Sequence, residues 1–340
     1  MKKDFFKVLF IAAVALLTVS CSKDKDNEVT IDRKVAVLLP DNSIIERWGI
    51  DKSNLENAMT RYGLDATFYT APETEAGAAQ QVDQLRKAIN DGIKYIVLTA
   101  IDYKKINESK LIEQNPDVKV VCHDRFVLDN PKIAYISSAD TKAVGHIQAM
   151  FLITYFRATG KASMTLEILE GPVTDVNAKD YYDGAMEQLK PLIDNGQLIV
   201  KSNKIEYNEV KTESWTVADG KSAMLDRLES YDSGECPDLI LAAIDNQAQG
   251  VIEALAEKGI NKTPVITGQD NSTIAKQNIE NGKQTMTVDK SLDEMAFNTA
   301  LIINGLIHNA PVQTIESVTI GSAKIPVLYS KLITKVKESE

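Results

Sequence analysis

The sequence has few of the residues on which disulfide scaffolds and metal sites depend. It contains three cysteines in 340 residues, which is too few for a disulfide scaffold. Cys122 ends an apolar run and Cys236 lies in a predicted loop, and we expect both to be unpaired, the first as a small buried hydrophobe. The three histidines lie far apart and show no HExxH spacing, so the sequence predicts neither a metal site nor a histidine-based catalytic triad.

Motifs for phosphate binding and for serine catalysis are missing as well. The chain contains no GxGxxG, no GxxxxGKS/T and no GxSxG. Gly220-Lys221-Ser222 lacks the upstream glycine of a phosphate-binding loop, since Trp215 stands at that position. We therefore expect no cofactor, and a binding protein rather than an enzyme.

Acidic residues outnumber basic ones. Lys and Arg total 38 against 48 Asp and Glu, which gives a net charge of −10. A nucleic-acid-binding protein needs a basic face, and no dense basic cluster occurs here, so we expect no nucleic-acid partner. The hydrophobic share of 44% is typical of globular proteins, and the length fits two domains of ordinary size.

Residues 1–20 are predicted to be a signal peptide. Lysines precede an apolar run over 8–19, which is shorter than the roughly 20 residues that a membrane-spanning helix needs. The segment 17–21 resembles the cleavage box of bacterial lipoproteins, in which the cysteine is lipidated. This resemblance implies that an acylated Cys21 anchors the chain in a lipid bilayer. The alternative is a plain secretory signal with an incidental cysteine.

Residues 21–33 are predicted to be a tether after that anchor. The segment 22–28 is charged and has no apolar residue, which is typical of a flexible linker. A serine after the cysteine resembles outer-membrane sorting, and the acidic stretch resembles a lipoprotein surface-export signal. We expect a location in the envelope of a Gram-negative bacterium, at the periplasmic face of a membrane or on the cell surface.

From Lys34 onward, short apolar strands alternate with amphipathic helices. The segment 35–39 is wholly apolar, as in strands that are buried on both faces of a parallel sheet. Further strands are predicted at 66–70, 95–98, 118–122 and 133–136, and one of the helices between them spans 104–114. The pattern begins again with a helix at 144–156 and strands at 164–169, 198–200, 239–242 and 264–267. Two such series predict an α/β protein with two doubly wound parallel-sheet lobes.

Ligands of such sheets bind beyond the carboxyl ends of the strands. The residues that follow the predicted strands are rich in Asp, Asn, Arg and Trp, and they lie at 40–48, 100–103, 123–125, 171–177, 244–246 and 268–271. They offer many hydrogen-bonding groups without an obvious nucleophile and base. This composition favours a site that holds a polyhydroxylated ligand.

Five short motifs occur in order along the chain: Glu46-Arg47-Trp48, Asp124-Arg125, Asp175-Val176-Asn177-Ala178-Lys179, Gly268-Gln269-Asp270 and Gln284-Thr285-Met286-Thr287-Val288-Asp289-Lys290. With them, the chain from about 34 to 335 resembles type I periplasmic sugar-binding proteins of the ribose- and xylose-binding family. The resemblance implies a two-lobed Venus flytrap joined by hinge crossings near 137–140, 289–291 and 324–329. Lobe one would comprise 34–139 plus 291–323, and lobe two 140–290 plus 324–335.

The resemblance also implies roles for individual residues. Arg47 would reach the sugar from lobe one, with Trp48 presenting an apolar face. Asp124 and Arg125 would grip adjacent hydroxyl groups. The remaining implied contacts are the polar residues of lobe two, a carboxylate and a hinge donor, namely Asp175, Asn177, Asp270 and Lys290.

The chain departs from the family pattern at several positions. Ile244-Asp245 stands where the family usually has Asn-Asp, so Asp245 remains an expected sugar contact while one amide has become apolar. Val176 replaces an asparagine. The stacking aromatic residue of lobe two is either Trp215 or Tyr207. These departures leave open whether the ligand is a pentose, a hexose or a sugar that lacks one hydroxyl group.

Each candidate residue also has a purely structural interpretation when it is taken alone. Arg47 and Lys290 could be surface cations, Asp124 and Arg125 could be a solvated ion pair, and Asp270 could cap a helix. All of them fall at strand ends that should face one cleft, and this favours a common site.

The function that we expect is that of a lipid-anchored, monomeric solute-binding protein. It would capture a monosaccharide, such as the pentose xylose, and pass it to a membrane permease. The alternatives are a carbohydrate sensor or scavenging lipoprotein without its own permease, and an enzyme on the same fold. A DNA-binding repressor of this fold is disfavoured by the predicted signal peptide, the missing helix-turn-helix and the charge of −10.

Overall fold

The structure is a computed structural model that describes residues 31–314 and 316–338. The predicted signal peptide and Cys21 lie outside these residues, as does most of the predicted tether. The last tether residues, 31–33, are exposed and have no regular secondary structure. No helix in the described part of the chain combines the length and the hydropathy of a membrane span.

Lobe one begins with alternating strands and helices: β1 (Lys34–Pro40), α1 (Arg47–Arg61), β2 (Asp65–Ala71), α2 (Glu75–Asn90), β3 (Tyr95–Leu98), α3 (Tyr103–Glu108), α4 (Leu111–Gln114), β4 (Lys119–His123) and β5 (Tyr135–Ala139). The prediction of one helix over 104–114 is wrong. Lys110 has a φ of 57°, and this left-handed conformation ends α3 and starts α4.

Lobe two repeats the alternation: α5 (Thr141–Thr159), β6 (Met164–Leu169), α6 (Val176–Asp194), β7 (Leu198–Ile199), α7 (Tyr207–Val210), α8 (Val217–Leu228), β8 (Leu239–Ala242), α9 (Asp245–Glu257), β9 (Val265–Ile266), α10 (Thr273–Glu280) and β10 (Met286–Asp289). The strands β7, β6, β8 and β9 lie side by side in that order, and all of them are parallel. Gln269 bridges to Val288 and so places β10 beside this sheet.

The chain then returns to lobe one with α11 (Leu292–Ile307), β11 (Glu316–Ile320) and β12 (Ala323–Ser330), and it ends in lobe two with β13 (Ile333–Val336). The sheet of lobe one has the order β11-β12-β5-β4-β3-β1-β2, and it is parallel except for β11. β13 pairs antiparallel with β10.

This pairing differs from the expected division of the last segment. The expected division places all of 324–335 in lobe two, but β12 pairs with β5 in the sheet of lobe one. The side chains of Ile325 and Val327 are buried in the core of lobe one, which fixes β12 there. The third crossing between the lobes therefore lies at 331–332 and not at 324–329. The chain also passes between the lobes after β5 and after β10.

Each lobe has an apolar core on both faces of its sheet. In lobe one, Leu38 and Leu98 lie on one face, and Val37 and Val97 lie on the other. Lobe two has the same arrangement, with Leu166 and Leu241 on one face of its sheet. The prediction of two parallel-sheet α/β lobes is confirmed. Cys122 and Cys236 are both buried and free.

Candidate functional site

Charged side chains from both lobes meet at the carboxyl ends of the two parallel sheets. Nη1 of Arg47, at the start of α1, lies 3.2 Å from Oδ1 of Asp124, which follows β4. From lobe two, Nδ2 of Asn177 donates to Oδ2 of Asp124 at 3.4 Å. Nζ of Lys290 lies 3.2 Å from Oδ1 of Asp270 and 3.7 Å from Oδ1 of Asp124. We call these five residues the central cluster.

Two carboxylates of the central cluster stand on left-handed backbone. The φ of Asp124 is 62° and that of Asp270 is 94°. Hydrogen bonds of the main chain hold both residues: the Asp124 N–H donates to the carbonyl of Ser137 at 2.8 Å, and the Asp270 N–H donates to that of Val288 at 2.9 Å. Residues whose backbone adopts such sparsely populated conformations are concentrated at binding sites and active sites.

Burial and charge act against each other in the central cluster. Burial alone would raise the pKa of Asp124, but the nearby Arg47 and Lys290 outweigh it and hold that pKa well below its usual range. Burial and Arg47 would lower the pKa of Lys290, while Asp124 and Asp270 keep it raised. Asp124 and Lys290 are therefore both charged at neutral pH.

Arg125 organises a second group of buried side chains next to the central cluster. Its Nη1 is hydrogen-bonded to Glu73, and its Nε lies 2.8 Å from Oδ2 of Asp175. The carboxylates of Glu73 and Asp175 also accept hydrogen bonds from the two tryptophans. The indole N–H of Trp48 donates to Glu73 at 3.1 Å, and that of Trp215 donates to Asp175 at 3.0 Å. Lobe one supplies Trp48 and lobe two supplies Trp215, so one aromatic ring comes from each side.

Residues behind Arg47 fix its orientation. Nε and Nη2 of Arg47 both donate to Oδ2 of Asp51, at 3.0 and 2.6 Å. Oδ1 of Asp51 lies 3.6 Å from Nε2 of His123, whose Nδ1 lies 2.8 Å from Oγ1 of Thr299. These side chains lie behind the cluster and leave Nη1 of Arg47 directed at Asp124. The sequence analysis missed Asp51, although its i, i+4 spacing from Arg47 on a helix is a recognisable signal.

Glu73 and Tyr181 were missed too. Glu73 follows β2 at the carboxyl edge of the sheet, so the strand-end rule indicates it once β2 is included. The hydroxyl of Tyr181 lies 3.4 Å from Nζ of Lys290. Tyr181 is the sixth residue of α6 and lies twelve positions after the end of β6, and no motif in the sequence marks it.

Asp245 and Tyr207 lie away from the central cluster. Oδ1 of Asp245 accepts from Gln284 at 2.9 Å and from Thr287 at 2.8 Å, and its Oδ2 accepts from the Ser272 N–H at 2.9 Å. Asp245 thus holds the turn that carries Asp270, and burial, with a further contribution from that carboxylate, raises its pKa to about 7.

Tyr207 donates its hydroxyl to the carbonyl of Gly171 at 3.0 Å, and its ring packs on Tyr182 with 5.5 Å between the centroids. It therefore supports the turn after β6 instead of facing the central cluster. Of the two expected stacking residues, Trp215 is the one that lies beside the central cluster, where Tyr181 is a second lobe-two aromatic residue.

The side chains enclose only a small cavity of about 10 Å³, roughly the room that one water molecule needs. Four residues of the central cluster line it, together with the two tryptophans and their neighbours. The lining residues are Arg47, Asp124, Asp270, Lys290, Trp48, Arg125, Asp175, Trp215, Ile45, Tyr181, Ile244 and Gln269. A larger ligand enters only if the lobes separate and the ion pairs give way to bonds with the ligand. Among the described residues, no group of three His, Cys, Asp or Glu side chains is placed to hold a metal ion.

The chain is similar to known periplasmic proteins. A family described as "Periplasmic binding protein domain" matches residues 35–309. The multiple sugar-binding periplasmic receptor ChvE of Rhizobium radiobacter is 27% identical, over 85% of this chain and 82% of that protein. The D-xylose-binding periplasmic protein of Haemophilus influenzae is 25% identical, over 94% of this chain and 90% of its own.

A similar solved structure is that of an ABC transporter solute-binding protein from Clostridium phytofermentans, which contains bound β-D-glucose. It is 26% identical, and the superposition has a TM-score of 0.82 and covers 88% of this chain and 93% of the other. The two-lobed architecture described above is therefore shared with a sugar-bound protein.

Proposed function

Because the chain belongs to the periplasmic binding protein domain family, which matches residues 35–309, we propose that it captures a monosaccharide between its lobes. The observation that carries this proposal is the convergence of Arg47, Lys290 and Asn177, from both lobes, on Asp124. Members of this family are binding proteins, and this confirms the prediction that the chain is not an enzyme.

The chemistry of the central cluster suits the edges of a sugar ring. Carboxylates and a guanidinium group make paired, charge-assisted hydrogen bonds with neighbouring hydroxyl groups. Two buried acceptors, Oδ1 of Asn177 and Oδ1 of Asp270, accept no hydrogen bond from the described residues, although the second forms an ion pair with Nζ of Lys290 at 3.2 Å. Hydroxyl groups of a sugar would supply these donors. A wrong epimer would leave them unpaired, which costs about 1–3 kcal/mol for each group.

The two tryptophans suit the faces of a sugar ring. Trp48 and Trp215 both line the small cavity, and each is fixed through its indole N–H. Aromatic rings cover the C–H patches that a pyranose presents on its faces. Sugar binding would thus combine stacking against rings from both lobes with hydrogen bonds around the rim.

We propose that the sugar is a pentose such as xylose. Ile244 lines the cavity at the position where the resembled family usually has an amide, so one hydrogen-bonding partner is replaced by an apolar wall. Such a wall favours a sugar with one polar substituent fewer. The D-xylose-binding relative supports this choice, while the multiple sugar-binding relative keeps a hexose as the second candidate.

Binding would close the lobes around the sugar. Contacts from both lobes to one ligand form only in the closed arrangement, so the sugar binds that arrangement more tightly and increases its population. A membrane permease would then take the sugar from the closed form; a sensor protein is the alternative partner. The ABC transporter solute-binding protein of similar structure supports the permease.

We further propose that the protein works as a monomer in the cell envelope and is held to a lipid bilayer through acylated Cys21. The envelope location is supported by the periplasmic relatives. Metabolic labelling with a fatty acid would test the anchor. Labelled protein in the membrane fraction, lost in the variant Cys21→Ala, is the expected result, and an unlabelled wild-type protein would contradict it.

Titration calorimetry and thermal unfolding with xylose, ribose, arabinose, glucose and galactose test the sugar proposal. A sugar at a hundred times its Kd should stabilise the wild-type protein by about 2.7 kcal/mol. Asp124→Asn should abolish this effect, because a neutral amide cannot accept hydrogen bonds with both of its terminal atoms. Asp91→Asn is the matched control, since Asp91 forms an exposed ion pair with Lys87.

Three outcomes separate the parts of the proposal. Stabilisation by a hexose and not by a pentose would overturn the choice of sugar class alone. Unchanged binding by Asp124→Asn would overturn the assignment of the site. Absence of any effect of the whole panel on the wild-type protein would overturn the proposed monosaccharide ligand.

A further inference from the structure

A groove of about 650 Å³ opens between the lobes next to the small cavity. Its volume lies within the range of roughly 300–1,000 Å³ that is typical of small-molecule sites. Lobe one contributes the start of α2 and the turn after β3, and lobe two contributes the turn after β6 and the segment before α8. Both lobes would therefore contact a ligand in this groove, as they would in the small cavity.

The groove adjoins the small cavity. Arg125, Asp175 and Trp215 line both of them. The Arg125–Asp175 ion pair, with 2.8 Å between Nε and Oδ2, stands at the junction. No member of the central cluster lines the groove, so a sugar substituent would have to pass only this ion pair to reach it.

The walls of the groove combine apolar surface with hydroxyl groups. Ile44, Ala78, Ile101 and Pro172 provide apolar surface together with the Trp215 ring. Thr174 and Ser214 provide hydroxyl groups on the side of lobe two. A sugar ring needs this mixture, because its faces present C–H groups and its edges present hydroxyl groups.

Carboxylates dominate the charge of the groove. Its acidic lining residues are Glu73, Glu75, Asp102, Asp175 and Glu213. Its only cations among the lining residues are Lys105 and Arg125, which leaves a formal charge of −3. An anionic ligand, such as a uronic acid or a sugar phosphate, would meet like charges there, whereas a neutral ligand would not.

We propose that the groove is a second subsite, which binds a neutral sugar unit that is glycosidically linked to the sugar in the cavity. This inference rests on the proposed function, since the first unit occupies the site proposed above. The preferred ligand is then a neutral disaccharide, and a disaccharide with an acidic second unit is rejected by the charge of the groove.

Calorimetry with xylose and xylobiose, and with glucose and cellobiose, tests the subsite. The wild-type protein should bind the disaccharide at least as tightly as the matching monosaccharide. Thr174→Trp should fill the groove, because Thr174 is exposed and lines it. This variant should weaken disaccharide binding at least tenfold and change monosaccharide binding less than twofold.

Val173→Trp is the matched control. Val173 is the neighbouring residue, is 44% exposed and does not line the groove, so the same bulky substitution there should change neither affinity. Thermal unfolding of the unliganded variants verifies that both are folded. Equal losses for both ligands in Thr174→Trp, or no loss for either, would overturn the subsite.

The charge of the groove is tested with a disaccharide that carries glucuronic acid as its second unit. The wild-type protein should bind it at least fivefold more weakly than the neutral disaccharide. Glu213→Lys should narrow this difference, since the Glu213 side chain is 91% exposed and its reversal changes the charge of the groove without disturbing the core. An unchanged ratio would contradict rejection by charge.

The failures of the two proposals are distinguishable. If the monosaccharide binds and the disaccharide does not, only the subsite is overturned. If neither ligand of either pair binds, the proposed monosaccharide function fails, and the subsite fails with it.

Discussion

Glu46 of lobe one and Thr273 of lobe two are joined by two hydrogen bonds outside the cavity. Oε1 of Glu46 accepts from the Thr273 hydroxyl at 2.6 Å, and its Oε2 accepts from the Thr273 N–H at 3.1 Å. Thr273 is the first residue of α10, where backbone N–H groups lack partners within the helix and the helix dipole favours an anion. Next to this contact, Nδ2 of Asn246 donates to the Ile44 carbonyl at 2.9 Å, again between the lobes.

These contacts predict that Glu46 stabilises the closed form without touching the sugar. Glu46→Ala removes two hydrogen bonds to a charged group, so we expect sugar affinity to fall roughly tenfold, which is about 1.4 kcal/mol. Small-angle scattering without sugar should show a larger radius of gyration. The melting temperature should change little, since Glu46 is exposed.

Glu56→Ala is the control for this prediction. Glu56 lies on α1, which begins directly after Glu46, and it forms an exposed ion pair with Lys52 of the same lobe. Its removal should leave affinity and scattering unchanged. Equal behaviour of the two variants would show that Glu46 has no part in closure.

The rule about strand ends predicted much of the site because it depends only on topology. Arg47, Asp124 and Asp270 follow strands that the sequence marks by their apolar runs, and the structure places all three within one cluster. Their role in sugar binding stays a prediction. Glu73 was not predicted as a site residue. It follows β2, which has few buried residues, and the residues after this strand were not among the expected binding segments.

Other features depend on contacts that sequence spacing does not encode. Asp245 follows β8 as the rule requires, yet its carboxylate turns to Gln284 and Thr287, which are about 40 positions later in the chain. The placement of β12 depends in the same way on its pairing with β5. Ile325 and Val327 form one buried face of a strand, and such a face would fit either lobe. The sequence pattern alone therefore could not assign β12 to a lobe.

Gly171 leaves room for the Trp215 ring. A Cβ atom at position 171 would lie 1.9 Å from Cη2 of Trp215, so Gly171→Ala must displace the ring. The displaced ring would lose its hydrogen bond to Asp175, and we expect sugar affinity to fall at least tenfold. The overpacking should also reduce the free energy of unfolding by about 1–3 kcal/mol. The chain has two tryptophans, both at the cavity, so their fluorescence reports the displacement directly.

A double variant provides the control for this second prediction. Trp215→Phe removes the ring atoms that would collide with the new methyl group. Gly171→Ala combined with Trp215→Phe should therefore be destabilised by less than the sum of the two single variants in urea unfolding. Strict additivity would mean that Gly171→Ala acts through something other than the Trp215 ring.

The third prediction concerns the pH dependence of stability through Asp245. Burial and the neighbouring Asp270 raise the pKa of Asp245 to about 7 in the folded protein, against an ordinary value of 3.8. Between these two values the folded state holds a proton that the unfolded state has lost. The contribution of Asp245 to the free energy of unfolding therefore decreases as the pH rises from about 4 to about 7, and it is constant above that range.

Asp245→Asn removes this titration and retains an acceptor for Gln284 and Thr287. The variant should be less stable than the wild type at pH 5, because its amide cannot accept from the Ser272 N–H as the second carboxyl oxygen does. From pH 5 to pH 8 the wild-type protein should lose up to about 2–3 kcal/mol relative to the variant, at about 1.4 kcal/mol for each pH unit below the folded pKa. Urea unfolding of both proteins at pH 5, 6, 7 and 8 measures this difference. Parallel curves would mean that Asp245 is already ionised at pH 5, in which case its three hydrogen-bond donors outweigh its burial.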